Sequence, residues 1–289
     1  TGIAATDNVR TGILDVAGIA TFRSDVNIPN INGGQIGGRR NKVINGAMQV
    51  AQRGTSETSV TTGNSSSNGY KKWADRFQWR TQSGGTWTLS QESDGPSGFN
   101  KSIKAECTTA DSSLSGSDHS LILHTIEGQN LVGLKKGTSD AQPFTLSFYV
   151  KSDEENRTMV VSLYDSDNNR QIGQSYTTHG TANTWKKIEL TFNNETSNAF
   201  TYDKNGSLEI YFFLAAGPSW TSGTLDSNWA GYSGGNRAAG QYNLAQATGN
   251  YLQITGVQLE VGSTATSFEH RSYGEDLKLC QRYYYMHAN

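Results

Sequence analysis

Residues 215–250 hold the side chains whose types and spacing point most directly to chemistry. The segment has no regular apolar periodicity and lies between two strongly alternating stretches. Loops of this length are uncommon in compact domains and are usually either functional or disordered. Disorder is disfavoured by the aromatic side chains of the segment, which are Trp220, Trp229, Tyr232 and Tyr242.

Flat aromatic faces beside polar side chains suit sugars. A pyranose ring offers C–H groups for stacking and hydroxyls that need fixed polar partners. The polar side chains among these aromatics are Asp226, Asn228, Asn236 and Arg237. The alternative is that the aromatics pack over a sheet edge or at a subunit contact, and the sequence leaves both open.

Catalytic motifs are missing from the sequence. It contains no Gly-x-Ser-x-Gly, no His-Glu-x-x-His and no Cys/His cluster with metal-ligand spacing. A glycosidase needs only two carboxylates across a bond, and the 26 Asp and Glu residues could supply such a pair. Nothing points to one, so we expect no enzyme activity, no metal and no cofactor.

The composition narrows the class of protein. Only 17% of the 289 residues are charged, and the 32 glycines accompany abundant Ser, Thr and Asn, which indicates a β-rich chain with many turns. The net charge of −2 does not favour nucleic acid as a partner. No apolar run approaches the about 20 residues that span a bilayer, so we expect no membrane insertion. Cys107 and Cys280 form no disulfide framework and are expected to be free and buried.

Alternating apolar residues predict an all-β sandwich. The clearest alternations lie at 144–150, 159–163, 188–192 and 208–214, with weaker ones at 87–89, 103–105 and 121–123. With a closing strand at 251–261, this gives roughly eight to ten strands, a number typical of a two-sheet jelly roll. Residues 55–69 are expected to form a loop.

The end of the chain predicts a bulged strand followed by a capped helix. Gly256 marks the point where the apolar parity of the closing strand switches, as at a β-bulge. Ser272 and Glu275 form a capping box that opens a helix. One face of that helix is expected to be structural, and its residues are Leu277, Cys280 and Tyr284.

Two polar motifs have structural explanations that we favour. Asp165-Ser-Asp-Asn-Asn169 places oxygen ligands as in a calcium loop, but it lacks the glycine and the final glutamate of that loop and fits a hairpin turn. In the segment from Trp73 to Trp79, aromatics share one parity of a predicted strand. We expect its Trp73 to lie in the core and its Asp75 and Arg76 to anchor a local hydrogen-bond network.

The first 40 residues differ from the rest. Thr1-Gly-Ile3 recurs as Thr11-Gly-Ile13 in a short repetitive β pattern that cannot bury an apolar face alone. Parallel association of identical chains around a rotation axis is the simplest solution, and an arm lying on the main domain is the alternative. We therefore predict a shaft arm with a glycine-rich joint at 1–40, a jelly-roll sandwich at 41–270, and a helix with a tail at 271–289.

Five stretches together resemble the carbohydrate-binding-module-like, jelly-roll region of bacteriophage tail-fibre and receptor-binding proteins. They are NGAMQVAQRGT (45–55), WADRF (73–77), TLSFYVKS (145–152), ITGVQLEVG (254–262) and FEHRSYGEDLKLCQRYY (268–284). The arm segment VAGIATFRSDVNI (16–28) resembles β-repeats of cyanobacterial phage fibres. The resemblance also implies that Trp229 belongs to the scaffold. The glycan-facing set is then Trp220, Asp226, Tyr232, Asn236 and Arg237.

The resemblance implies a homotrimeric tail-fibre component of a virion, exposed to the host. We expect its arm to contact other tail proteins and its sandwich to bind host surface polysaccharide or lipopolysaccharide without cleaving it. The alternatives are a purely structural adaptor or decoration fibre and, in third place, a polysaccharide depolymerase.

Overall fold

The computed structural model describes residues 39–61 and 73–286, together with the backbone of Asn30–Ile31 and Gly34–Gln35. Of the predicted arm and joint at 1–40, residues 1–29, 32–33 and 36–38 lie outside the described residues, and so do residues 62–69 of the predicted loop. The three predicted domain boundaries stay predictions.

β-Strands are the main regular secondary structure of the described residues. The strands are β1 (Asn30–Ile31), β2 (Gly34–Gln35), β3 (Ser56–Val60), β4 (Phe77–Gln82), β5 (Thr86–Glu92), β6 (Ser102–Thr109), β7 (His119–Glu127), β8 (Phe144–Ser152), β9 (Thr158–Asp165), β10 (Arg170–Thr177), β11 (Lys186–Phe192), β12 (Gly206–Ala216), β13 (Ala230–Gly231) and β14 (Tyr251–Val261). The α-helices are α1 (Pro218–Thr221) and α2 (Tyr273–Gln281). No helix in these ranges is long and apolar enough to span a membrane.

Twelve of the strands build two six-stranded antiparallel sheets, and β1 pairs with β2 in a separate two-stranded sheet. One, here the β12 sheet, has the order β13-β10-β9-β12-β7-β4, and the other, the β14 sheet, has the order β11-β8-β14-β6-β5-β3. The chain crosses between the sheets at each step from β6 to β9, as jelly-roll sandwiches do. The prediction of an all-β sandwich is confirmed. The sheets hold more strands than expected because short edge strands such as β3, which was predicted as a loop, give only weak alternation.

The core lies between the two sheets and follows the alternation of the strands. In β11, for example, Ile188, Leu190 and Phe192 are buried, and the residues between them are exposed or partly exposed. In β14 the pairing with β8 shifts register between Thr255 and Gln258. Because of this bulge, apolar side chains of both parities reach the same core, and they are Leu252, Ile254, Val257 and Leu259.

The outer face of the β12 sheet carries a second apolar cluster. Leu121 and Leu123 of β7 lie there, whereas Ile122 and Ile126 of the same strand belong to the main core. Both faces of this central strand are therefore buried. The cover on the outer face comes from the irregular segment between β12 and β14, whose Ala238 and Trp220 pack on this second cluster.

The predicted capping box is present at the start of α2. The Ser272 side chain accepts from the backbone N–H of Glu275, and the Glu275 side chain accepts from the backbone N–H of Ser272. Cys280 is buried and Leu277 is partly buried. The prediction was wrong in placing Tyr284 on the helix, because α2 ends at Gln281. Tyr284 packs instead under a guanidinium, whose Cζ belongs to Arg53 and lies 3.6 Å from the ring centroid.

The segment from Trp73 to Trp79 is only partly a strand. β4 begins at Phe77, and Arg76 just before it has φ +73°, so Trp73, Asp75 and Arg76 belong to a turn. The Trp73 ring packs edge-on against Trp79 in the core. Asp75 accepts from the backbone N–H of Gln52 at 2.6 Å and Arg76 donates to the Thr125 carbonyl at 2.6 Å. These two hydrogen bonds connect the turn to Gln52, near the start of the sandwich, and to Thr125 of β7.

Candidate functional site

The segment between β12 and β14 folds as a layer of short turns over the β12 sheet. Helix α1 packs against the 3-10 turn at Gly234–Asn236. The backbone N–H of Ala238 donates to the carbonyl of Trp220 at 2.8 Å. Aromatic and apolar side chains of the segment replace water over the outer face of the sheet, which explains why a loop of this length is ordered.

Arg237 is the centre of an aromatic cage in this layer. Its side chain is buried, with the residue 3% exposed. The guanidinium carbon lies 3.9 Å from the ring centroid of Tyr211 and 5.0 Å from that of Tyr164. Trp220 and Tyr232 complete the cage at 5.7 and 5.8 Å. The structure therefore brings three of the five predicted glycan-facing residues together around one cation.

The other two predicted residues are engaged within the layer. Asp226 accepts from Nε2 of Gln171 at 2.6 Å and from Nδ2 of Asn236 at 3.1 and 3.2 Å. Oδ1 of Asn236 accepts from the backbone N–H of Thr224 at 3.2 Å. These hydrogen bonds hold the turns of the layer in place, so the polar atoms of Asp226 and Asn236 stabilise the loop.

The aromatics of the segment differ in exposure. Trp220 is partly buried against Phe213, and its Nε1 donates to the carbonyl of Ser117 at 3.0 Å. Trp229 is 8% exposed and packs on Phe144 in the main core. Tyr232 is 45% exposed. Only Tyr232 of these rings offers a broad face to solvent.

A second candidate lies on the opposite side of the sandwich, and we call it the bulge pocket. It is a cavity of about 250 Å³ over Gly256 on the outer face of the β14 sheet. Its aromatic lining consists of Phe99, Tyr149, Phe268 and His270.

The rings of the bulge pocket form one cluster. Phe99 lies at its centre, with ring centroids 5.4 Å from Tyr149, 4.9 Å from Phe268 and 5.1 Å from His270. His270 is exposed and the other three rings are partly exposed. Gly256 makes room for them, since a Cβ there would lie 2.8 Å from Cζ of Phe99. The bulge thus positions the aromatic surface.

The remaining lining of the bulge pocket is polar and free of carboxyl groups. Hydroxyl and ammonium groups come from Ser97, Ser147, Thr266 and Lys187, and the Lys187 ammonium also pairs with Glu189 at 2.7 Å. No Asp or Glu is found among the described residues that line it. The pocket therefore combines ring faces with hydrogen-bonding groups.

Sequence reasoning missed the bulge pocket because it assigned the C-terminal turn to the scaffold. One signal was available: Tyr149 is a large aromatic on the polar parity of β8, between the buried Phe148 and Val150. No sequence pattern indicated that Phe99, Phe268 and His270 contribute to the pocket. These residues come from irregular segments that meet only in the folded chain.

Two further cavities have polar groups that are already paired. In one, of about 470 Å³ beside α2, Arg282 pairs with Glu127 at 3.0 Å and Arg271 pairs with Glu269 at 3.0 Å. In the other, of about 330 Å³, Lys151 pairs with Asp94. The larger cavity is also lined by Arg39 and Lys42.

No group of three or more His, Cys, Asp or Glu among the described residues could hold a metal ion. Burial lowers the pKa of His119 and lowers that of His124 well below the usual value, so both imidazoles are neutral at physiological pH. The His124 ring packs at a tilted angle against Phe77 inside the sandwich, with the ring centroids 4.8 Å apart.

No family model matches the sequence, and no curated protein matches it. Among solved structures, the chain is similar to the enzymatically active domain of tailspike protein 4 of bacteriophage CBA120, with 14% identity, a TM-score of 0.36, and coverage of 64% of this chain and 19% of that one. It is similar to an arabinose-bound α-L-arabinofuranosidase of family 51 at 11% identity and a TM-score of 0.36, covering 77% of this chain and 26% of that one.

A third similar structure is a family 4 carbohydrate-binding module, at 13% identity and a TM-score of 0.36. That match covers 76% of this chain and 99% of the module. The chain thus spans a minor part of the first two proteins and nearly the whole module. The sandwich assignment rests on the strand order of the chain itself.

Proposed function

We propose that this protein is a virion tail-fibre component whose sandwich binds a host surface glycan without cleaving it. The observation that carries the proposal is the bulge pocket, where four clustered rings face an opening that is also lined by hydroxyl and ammonium groups. Sugars need this pairing of apolar faces and fixed polar partners.

Binding without cleavage is supported by the lining of the pocket. Glycoside hydrolysis ordinarily requires two carboxyl groups across the scissile bond. Among the described residues that line the bulge pocket, none is Asp or Glu. Its ionisable side chains include His270 and Lys187, which can donate hydrogen bonds to sugar hydroxyls.

The tail-fibre context is supported by the sequence resemblance of residues 45–284 and of the repetitive arm. In this proposal three chains associate through the arm, which also attaches them to other tail proteins. Sedimentation of the full chain tests the assembly, and a monomer at micromolar concentration would contradict it.

The experiment for glycan binding uses Tyr149→Ala. Binding of lipopolysaccharide and capsular polysaccharide from candidate host bacteria is measured by titration calorimetry. Loss of one stacking ring weakens binding by about tenfold, which corresponds to about 1.4 kcal/mol. The matched control is Tyr273→Ala, which removes a tyrosine that is 54% exposed on α2 and leaves binding unchanged.

Three results would contradict the proposal. If Tyr149→Ala binds with the same affinity as the natural chain, the bulge pocket is not part of the binding surface. Absence of binding to every host polysaccharide would favour the structural adaptor. Release of reducing sugar from the same polysaccharides would show a depolymerase instead.

A further inference from the structure

The cation in the aromatic cage is buried without an anionic partner. Nε of Arg237 donates a long hydrogen bond of 3.4 Å to Oγ of Ser162. Nη2 is buried and has no hydrogen-bond partner. Among the described residues, no carboxylate lies within ion-pair distance of this guanidinium. A buried charge without hydrogen bonds is expensive, and unpartnered groups of this kind call for an explanation.

The carboxylates that could have paired with Arg237 are used elsewhere. Asp226 accepts from Gln171 and Asn236. Glu209 accepts from the hydroxyl of Tyr211, the ring that stacks on the guanidinium. The nearby acidic groups therefore build the cage without neutralising its cation.

A second buried cation of this chain has carboxylate partners. Lys136 also lies between two rings, with Nζ 4.8 Å from the centroids of both Phe200 and Trp229. It is paired with two carboxylates, Asp165 at 2.6 Å and Glu195 at 2.8 Å. The buried charge of Lys136 is thus neutralised by carboxylates and not by aromatic contact alone. Arg237 lacks the anion that Lys136 has.

The rings of the cage differ in exposure. Tyr211 is 6% exposed, and Tyr164 and Trp220 are partly exposed. The most exposed ring is Tyr232, at 45%. An incoming group can reach Nη2 by displacing this ring, which then offers its face to the rest of the ligand.

We infer that Arg237 is the receptor for the carboxylate of an acidic sugar, at a second glycan site on the opposite side of the sandwich from the bulge pocket. The carboxylate supplies the missing anion, since guanidinium and carboxylate match in geometry and charge. The pyranose ring of the same sugar stacks on Tyr232. This site is independent of the bulge pocket and extends the proposed function to anionic polysaccharides.

The test compares oligogalacturonate with its methyl ester on the natural chain, by titration calorimetry. The acid binds, and binding weakens as salt is added because an ion pair forms. The ester loses the charge but keeps the ring, and it binds about tenfold to a hundredfold more weakly, as expected for loss of a hydrogen bond to a charged group. This comparison needs no variant.

Two variants assign the binding to the cage. Arg237→Gln lowers affinity for the acid to that for the ester, whereas Tyr149→Ala leaves the affinity for the acid unchanged. Equal binding of acid and ester, or undiminished binding by a folded Arg237→Gln variant, would overturn the inference. So would capture of inorganic phosphate with no binding of the uronate, because the site would then select phosphate over carboxylate.

Discussion

The ammonium of Lys136 lies 2.6 Å from Oδ2 of Asp165, and both side chains are buried. Oδ1 of Asp165 accepts from the backbone N–H groups of Asp167 and Asn168 at 3.0 and 3.1 Å. One carboxylate therefore holds the turn between β9 and β10 and pins it to the segment before β8. The run of acidic and amide residues at 165–169 is a hairpin turn, as the sequence predicted, and its Asp165 is neutralised by Lys136.

Lys136→Met is expected to destabilise the protein strongly, because it leaves Asp165 buried without its cation and leaves Glu195 with Arg170 alone. The free energy of unfolding should fall by about 3 to 5 kcal/mol, the cost of breaking a buried pair. Urea denaturation followed by tryptophan fluorescence measures it.

The control for this prediction is Lys135→Met at the neighbouring position. Lys135 is half exposed and lies 3.8 Å from the exposed Asp140, so its loss should cost no more than about 1 kcal/mol. Similar losses for the two variants would show that the buried pairs contribute little.

The sequence predicted those parts of the fold that depend on local pattern. The alternation of β11 indicates the single buried face of that strand, and the parity switch at Gly256 indicates the bulge. It could not predict the Lys136 pairs or the Arg237 cage. Their members lie far apart in sequence, and a lone Lys or Arg carries no signal of burial.

The bulge pocket escaped prediction for a related reason. Phe99 and Phe268 lie in irregular segments that meet only over the bulge. Periodicity describes which side of a strand is buried, but it says nothing about loops that fold back over the exposed side. The five glycan-facing residues came from the longest loop, and the structure groups three of them around Arg237.

Gly256→Ala is expected to destabilise the protein and disturb the bulge pocket. Gly256 has φ +62°, where an L-residue costs about 1 to 2 kcal/mol. Its Cβ would also approach Phe99 to 2.8 Å and Tyr149 to 3.0 Å, which should add about 1 to 3 kcal/mol of overpacking. Thermal unfolding and polysaccharide binding are measured on the same sample.

Gly116→Ala separates backbone strain from the clash. Gly116 has φ +45°, and nothing lies within 4 Å of a Cβ built there. This variant should show the backbone cost alone and keep full binding. If Gly256→Ala is no less stable than Gly116→Ala, the rings over the bulge are not tightly packed.

Both cysteines are expected to be unreactive in the folded protein. Burial raises the pKa of Cys107 to about 11 and that of Cys280 to about 12. Because the thiolate is the reactive form, neither thiol should react with an aromatic disulfide reagent at mildly alkaline pH. Both should react at once in denaturant, and rapid reaction of either thiol in the native state would contradict the burial.

The capping box of α2 should make stability depend on pH in a defined direction. Hydrogen bonds from the backbone and side chain of Ser272 lower the pKa of Glu275 below its ordinary value of 4.5. A carboxyl group with a lowered folded-state pKa stabilises the fold above its unfolded-state pKa, and this contribution is lost as the pH falls through the folded-state pKa. The difference in unfolding free energy between the natural chain and Glu275→Gln should therefore be largest near neutral pH and shrink on acidification. Urea denaturation at several pH values measures that difference, and a constant difference would show that the charge of Glu275 does not stabilise the helix.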